Sequence, residues 1–308
     1  VTDPDSALLA LLEGLAEAGY RFTAVTPETH RRVLARRKNA SARDLRDVFG
    51  WSLPFDPVLP PPAVRRALMA SGEIERDGER WKSRVRVASL DDLLFLHSSY
   101  PTDRADAVFF GPDSHRFARF LEAELPRLGR IRHVVDLGTG SGVGAIIAAP
   151  LRPGAKITAT DVNPLALRFA RINARHAGVE LETVETSGLD QVEGPIDLVI
   201  ANPPFVADPA GRLYRDGGDM RGARLSLDWA LAAASRIEPG GTILLYTGSA
   251  IVAGRDALRD ALAAALPDLG CTLRYSEIDP DIFGELLDES GYQNVERVAA
   301  VGVVIAKP

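Results

Sequence analysis

Val134 to Ala145 reads VVDLGTGSGVGA. A short β-branched run leads into glycines at 138, 140, 142 and 144, and an apolar helix pattern follows. Glycines there let the chain turn tightly and let a ligand approach the backbone without a Cβ in the way. The helix beyond offers free N–H groups at its start. The pattern therefore predicts a strand–turn–helix unit that binds a small ligand. Similar apolar runs recur downstream as KITATDV, ETVET, DLVIANPP and TILLYTG, with helical stretches near 142–150, 164–177 and 222–237. Alternation of this kind predicts a parallel sheet covered on both faces by helices. The last stretch differs: CTLRYSEID, a short helix near 282–290, then VERVAAVGVVIAK. Two late strands joined so closely predict an antiparallel pair at the sheet's end.

The glycine turn by itself leaves two ligands open. Gly140, Gly142 and Ala145 satisfy G-x-G-x-x-A, and Asp161 stands about 20 residues on, where an acid binds ribose hydroxyls. That is the pattern of a nicotinamide or flavin enzyme. S-adenosylmethionine is the alternative, since the same acid can hold its ribose and its amino-acid end can lie over the turn. Asp136 favours the second ligand, because an acid before the first glycine can hold the ammonium group, directly or through water, and has no such role in the dinucleotide pattern. A simple turn-capping role for Asp136 is the plainer reading.

Ile200 to Val206, IANPPFV, follows the fourth apolar run. Two prolines cannot continue a sheet interior. They stiffen a loop at the strand's C-terminal end, where open α/β sheets place ligands. An amide or amino-purine nitrogen is a poor nucleophile because its lone pair is delocalised. The Asn202 side-chain oxygen and the Pro203 carbonyl can accept its two hydrogens and turn the lone pair toward a methyl donor. Each bond is worth only about 0.5–1.5 kcal/mol, but a near-attack geometry supplies several kcal/mol more. Phe205 can stack on a planar acceptor.

Taken together, DLGTGSG, the acid in ATDVNP and ANPPF resemble class I S-adenosylmethionine-dependent N-methyltransferases. The resemblance, over roughly 106–308, is greatest to HemK-type protein-glutamine methyltransferases and the small-domain ribosomal RNA guanine methyltransferases. It implies a Rossmann-like seven-stranded methyltransferase sheet with an antiparallel last strand. The expected acceptor residues are Asn202, Pro203, Pro204 and Phe205. The expected cofactor-binding residues are Asp136, Gly138, Thr139, Gly140, Gly142, Asp161, Val162, Asn163 and Asp190. Asp190 stands in for the adenine-binding acid that relatives carry after the third strand, where this chain has Ser187 and Gly188. The aromatic after the prolines is Phe, where glutamine methyltransferases usually carry Tyr. FFGPDSHRFARFL, 109–121, lies where HemK-like proteins carry an Arg-Pro-Glu-Thr-like segment beside the site. Asp113 or Ser114 equally fits a helix N-cap.

Upstream, the 308-residue chain is expected to carry a second domain over 1–105, ahead of the methyltransferase domain at 106–308. Residues 6–18 fit a helix behind Asp5 or Ser6, 28–37 a second, and ARDLRDVFGW a third behind Ser41. AVRRALMASG fits a helix ended by Gly72, and 73–90 a hairpin turning at Asp77-Gly78 with Arg84, Val85, Arg86 and Val87 alternating. The domain reads as smaller, mainly helical and winged-helix-like, with a substrate-recognition role. This third does not match the helical substrate domain of the release-factor enzymes.

The chain carries 36 Lys and Arg against 42 Asp and Glu, a net −6. The first 110 residues balance at 16 each, so the excess lies in the larger part, which is not a generically basic nucleic-acid binder. Arg31, Arg32, Arg36, Arg37, Lys38, Arg43 and Arg46 nonetheless form a local basic run, with Arg84 and Arg86 as a basic hairpin, that could grip RNA phosphates. A solvated helical face is the competing reading. Ala207 to Arg224 reads as a mobile flap in which Arg215, Arg221 and Arg224 are candidate substrate contacts. His97, His115 and His133 lack metal-ligand spacing, so no metal is expected. The lone Cys271 forms no intrachain disulfide and reads as a core residue. The N-terminal stretch lacks a signal peptide's basic region, and Val1 in place of Met is consistent with a few preceding residues. With no apolar run near the ~20 residues of a membrane span, a cytoplasmic protein is expected.

The expected function is methyl transfer from S-adenosylmethionine to a planar amide or amino nitrogen on a macromolecule, a protein glutamine or an RNA base. Small-molecule methylation, nicotinamide-dependent oxidoreduction and nucleic-acid-binding regulation without transfer are the alternatives.

Overall fold

A computed structural model describes residues 3–37, 40–208 and 212–308. The N-terminal third opens with α1 (Pro4–Glu17), α2 (Pro27–Ala35), α3 (Leu45–Phe49) and α4 (Pro62–Ser71). Two antiparallel hairpins follow, β1 (Ile74–Asp77) with β2 (Arg80–Ser83) and β3 (Val85–Leu90) with β4 (Leu93–Ser98). The remainder runs α5 (Pro112–Glu124), β5 (His133–Leu137), α6 (Val143–Leu151), β6 (Lys156–Asp161), α7 (Pro164–His176), β7 (Glu182–Glu185), β8 (Leu198–Ala201), α8 (Arg224–Arg236), β9 (Thr242–Val252), β10 (Arg255–Asp256), α9 (Ala257–Ala265), β11 (Thr272–Asp279) and β12 (Arg297–Ala306).

The central sheet has the order β7–β6–β5–β8–β9–β12–β11, with the short β10 hooked onto β9. Strands β5 to β9 are parallel, and β12 lies antiparallel to both β9 and β11. The late pair is antiparallel as expected, although its connection, residues 280–296, is long enough for a parallel crossover of a dozen or more residues. Successive residues of the central strands serve opposite cores. Val134, Leu198 and Ile200 pack on one face with α5 and α6, whereas Val135, Val199 and Ala201 pack on the other with α8 and α9.

The N-terminal elements pack on the sheet through α7. Ala166, Phe169 and Ile172 of α7 share a core with Leu8, Leu12 and Leu15 of α1 and Leu94 and Leu96 of β4. Arg168 pairs with Asp5 at 2.6 Å and Glu73 at 3.0 Å. The fully buried Asn173 accepts from the Leu96 N–H at 2.8 Å and donates to the carbonyls of Leu96 (3.1 Å) and Ser141 (2.8 Å). One amide thus ties β4 to the glycine turn. Asn173→Ala strands these buried backbone groups, at about 1–3 kcal/mol apiece, and a clear fall in the urea unfolding midpoint is the expected result.

Several local expectations shift. Asp3, not Asp5 or Ser6, caps α1, and Asp44 caps a shorter α3, while the Ser41 hydroxyl instead donates to the Pro54 carbonyl. Gly72 ends α4 in the left-handed region at φ 74°, as the pattern predicts. The hairpin at Asp77-Gly78 stops at Ser83. The next strand, β3, turns away to pair with β4 and is buried along its whole length. Arg86 is consequently buried at 5% exposure and unavailable to a phosphate backbone, because the expected alternation does not apply to a strand covered on both faces.

Candidate active site

A cavity of about 700 Å³ opens at the C-terminal ends of β5, β6 and β8, the usual ligand position in an open α/β sheet. One end is built by the glycine turn. Gly138 and Gly140 leave β5 at φ 68° and 54°, and Gly142 continues at 85°, all in the region that favours glycine. The turn is pinned by Thr139 N–H to the Thr160 carbonyl (2.9 Å) and Gly140 N–H to Asp161 Oδ2 (2.9 Å). The other Asp161 oxygen accepts from the Asn163 N–H at 2.9 Å. Burial pushes the Asp161 carboxyl up against those bonds.

Asp136 lies beneath the turn at 1% exposure and lines the cavity. Its Oδ2 accepts from Thr139 Oγ1 (2.7 Å) and the Ala145 N–H (2.9 Å), and so caps both the glycine turn and the first turn of α6. Its Oδ1 accepts nothing among the described residues. Burial pushes this carboxyl up to about 6 from the usual 3.8. A Cβ at Gly144 would come within 2.6 Å of Oδ1, so the fourth glycine keeps this carboxylate clear.

Donor set and cradle fit S-adenosylmethionine. An open carboxylate oxygen at Asp136 suits an ammonium, and the remaining lone pairs of Asp161 suit ribose hydroxyls. A Cβ at Gly140 would meet no protein atom within 4 Å, which leaves the turn's surface open to a ligand. The dinucleotide reading fails on topology and on a glycine. The antiparallel β12 replaces the sixth parallel strand of that fold. Gly142 meanwhile serves packing, since its Cβ would press on Ala170 Cα at 3.1 Å, and it does not line the cavity.

Thr139, Val162 and Asn163 line the same end, with Val162 exposed at 45% and the Asn163 amide donating to the Asp106 carbonyl at 2.8 Å. Asp190 does not. Leu189 is drawn into the core beneath β8, Asp190 faces solvent, and Thr186 and Ser187 line the cavity where an acid was expected.

The other end is the loop after β8. Asn202, Pro203, Pro204 and Phe205 all line the cavity. Among the described residues, neither the Asn202 side chain nor the Pro203 carbonyl takes a hydrogen bond, so both acceptors are available. Phe205 leans on Phe283, ring centroids 5.9 Å apart, and a Cβ at Gly248 of β9 would run into its ring. Asp113 also lines the cavity at 4% exposure. It is not an N-cap: the Gly111 N–H donates to Ser114 Oγ, and Asp113 accepts from the Tyr246 hydroxyl at 2.8 Å. Burial pushes it up to about 6. Trp229, packed over Gly138, and Tyr214, stacked on Phe109 at 5.9 Å, complete the walls. Tyr214 falls in the flap segment, whereas Trp229 of α8, and Tyr246 and Gly248 of β9 that back Asp113 and Phe205, escaped sequence reading because their elements lie far from the motifs.

The flap segment closes one side. Within 207–224, residues 209–211 lie outside the described residues. Val206 N–H donates to the Arg215 carbonyl and Gly217 N–H to that of Val206, and the Tyr214 hydroxyl donates to Thr102. Of the three candidate arginines only Arg215 lines the cavity, paired with Glu289 at 2.8 Å. Arg221 and Arg224 lie outside the lining, bonded at the surface to Asn294 and Asp228. In the basic run, Arg31 and Arg32 pair with Glu28, and Arg37 and Arg43 with Asp47. Arg36 and Arg46 are exposed, and Lys38 lies outside the described residues. No group of three or more His, Cys, Asp or Glu among the described residues is placed to hold a metal, and no described helix is long and apolar enough to cross a membrane.

A glycine-turn cavity at this sheet order, with paired acceptors after the fourth parallel strand, defines a methyltransferase. A model of the methyltransferase small domain matches residues 106–214. The release factor glutamine methyltransferase of Deinococcus radiodurans is 33% identical over 67% of this chain and 74% of that protein. Its namesake in Cereibacter sphaeroides is 30% identical over 77% and 91%. Ribosomal RNA large subunit methyltransferase G of Vibrio vulnificus is 37% identical over 32% of this chain, but the match spans only 27% of that protein. Among solved structures, Trm5b from Pyrococcus abyssi superposes at a TM-score of 0.50 with 15% identity, over 76% of this chain and 62% of that one, a likeness of fold. The chain belongs to the family of S-adenosylmethionine-dependent N-methyltransferases that includes these release factor enzymes.

Proposed function

We propose that the chain methylates a side-chain amide nitrogen of a protein, a glutamine, rather than a base of RNA. The observation that carries this reading is the charge that lines the cavity beyond the glycine turn. Glu28, Asp103, Asp216, Glu285 and Glu289 line it. The arginines there are Arg31, Arg212 and Arg215, each already paired with a carboxylate, of Glu28, Asp208 and Glu289. RNA brings a charge on every phosphate and needs free Lys or Arg to meet it. A neutral amide needs none. The glutamine methyltransferases among the relatives support the same reading.

In this reading Asn202 Oδ1 and the Pro203 carbonyl accept the two amide hydrogens, and Phe205 covers the amide plane and excludes water. Asp161 holds the ribose, with Val162 and Asn163 beside it, while Asp136 faces the ammonium and Gly138, Thr139 and Gly140 frame the turn. S-adenosylmethionine, when bound, supplies an activated sulfonium methyl. We assign residues 1–105 to substrate recognition and 106–308 to cofactor binding. Tritiated S-adenosylmethionine is incubated with the protein and a cell lysate, then split between ribonuclease and protease. Loss of label with protease, and N5-methylglutamine in the hydrolysate, is the expected result. Loss with ribonuclease would overturn the acceptor assignment.

Cofactor affinity is expected to depend on pH. The Asp136 carboxyl sits at about 6, above its unfolded value. In cofactor-free protein its neutral form therefore favours folding at low pH, and that contribution is lost as the pH rises through 6. An ammonium ligand needs the ionised form, so affinity should fall about tenfold per unit below pH 6. Calorimetry with S-adenosylhomocysteine at pH 5, 6 and 7.5 measures this. Asp136→Asn should flatten the profile, and an unchanged profile would show that Asp136 does not face the ammonium.

A further inference from the structure

The connection from β11 to β12, residues 280–296, is far longer than an antiparallel pair needs. Connections of such length inside a compact domain are usually functional. Here the extra chain grips the loop after β8 and the flap beside it. Phe283 packs on Phe205. The Glu289 carboxylate pairs with Arg215 at 2.8 Å, and Asn294 Oδ1 accepts from Arg221 Nη2 at 2.8 Å. Between these contacts stands Tyr292, 1% exposed. Its hydroxyl accepts from the Ala207 N–H at 3.0 Å and donates to the Arg221 carbonyl at 3.1 Å. Burial pushes this phenol up, so it keeps the proton that it donates.

The two backbone groups joined by that hydroxyl belong to different parts of the site. Ala207 follows the Asn202–Phe205 stretch directly. Arg221 lies in the turn that leads from the flap into α8. Met220 and Arg221 both hold left-handed backbone there, at φ 58° and 56°, which residues other than glycine rarely adopt. Such strain persists only where the surroundings fix it. Gly222 follows at φ 93°. A Cβ at Gly222 would come within 2.4 Å of the Phe205 carbonyl oxygen, and one at Gly217 within 2.6 Å of the Pro204 carbonyl oxygen. The flap backbone thus lies directly on the peptide groups next to Asn202 and Pro203, and a shift of the turn has to displace them. Tyr292 is outside the cavity lining, so any effect it has on the reaction passes through these two backbones.

We propose that Tyr292 is a positioning residue for methyl transfer. Its hydroxyl fastens the loop after β8 to the strained turn of the flap, and so fixes where Asn202 Oδ1 and the Pro203 carbonyl point. The inference rests on the acceptor roles given to those two groups. Tyr292→Phe keeps the buried ring and removes only the hydroxyl. Tyr275→Phe is the control, since it removes a hydroxyl bonded to Asp256 by a residue outside the cavity lining. In Tyr292→Phe, hydrogen exchange of the full chain is expected to quicken about tenfold or more over both 205–207 and 217–223, with parental rates there in Tyr275→Phe. At saturating S-adenosylmethionine, the single-turnover rate of tritium transfer to the protease-sensitive lysate acceptor should fall about tenfold or more. S-adenosylhomocysteine affinity should stay within about twofold. Unchanged exchange in either segment overturns the proposal. So does a parental transfer rate, an equal loss of cofactor affinity, or an equal fall in Tyr275→Phe. If the parent labels RNA instead, the glutamine reading fails alone, and exchange together with the transfer rate to that RNA decides the role of Tyr292.

Discussion

Asn202→Ala is expected to lower kcat by about a hundredfold or more, the scale seen when one preorganised hydrogen-bonding group is removed from a reacting centre. The affinity for S-adenosylhomocysteine should stay within about twofold, since a group that touches only the acceptor contributes nothing to cofactor binding. The asymmetry follows from the position of Asn202. It lines the cavity with Pro203 and Phe205, and its side chain has no partner among the described residues. Truncation therefore strands no protein group and leaves the fold intact. Its only loss is the oxygen that fixes one amide hydrogen, and with it the alignment of the nitrogen lone pair. Asn202→Asp is the sharper companion: it keeps an acceptor of the same size but adds a charge, so it should retain more activity than Ala. Single-turnover methylation with saturating cofactor, alongside calorimetry, separates the two quantities. A large loss of cofactor affinity in Asn202→Ala would place this residue in the cofactor site instead.

Asp161→Ala is expected to do the reverse. Hydrogen bonds to a charged group are worth about 1.5–3 kcal/mol each, so losing the ribose contact should weaken S-adenosylhomocysteine binding by about 10- to 100-fold. At saturating cofactor kcat should fall by a few-fold only. Part of the loss is indirect. Asp161 also accepts from the N–H groups of Gly140 and Asn163, at 2.9 Å each, and truncation frees the glycine turn. Asp161→Asn retains one acceptor oxygen and should fall between parent and Ala. A variant with parental affinity and depressed kcat would exchange the roles assigned to Asp161 and Asn202.

The glycine-turn end of the cavity was legible in the sequence because its determinants are local. VVDLGTGSGVGA encodes a strand, a turn that needs positive φ and a helix start within twelve residues, and Asp161 ends the adjacent strand. NPPF was legible for the same reason, since proline ends a strand wherever it stands. Asp190 shows where locality fails: with no motif around it, only the burial of Leu189 decides which neighbour faces the cavity. The N-terminal third was less legible still. RVRV alternates as text, yet β3 is covered on both faces, so its arginine points inward against the pattern. The arginine run was visible, but its partial pairing with Glu28 and Asp47 was not, because such pairs depend on where a helix starts and a loop returns. Tyr246 and Trp229 lie far from both motifs in sequence, and only the sheet order brings them to the site.

The three-way amide of Asn173 has a consequence for exchanging parts between relatives. The hairpin that carries His97 and the glycine turn are fastened to one side chain on α7, with Arg168 and Phe169 clasping the helices in front of it. A chimera that grafts residues 1–105 onto another member's sheet therefore has to transplant this face of α7 as well. Cut between 105 and 106 alone, it would carry the N-terminal elements without the seat on which they rest.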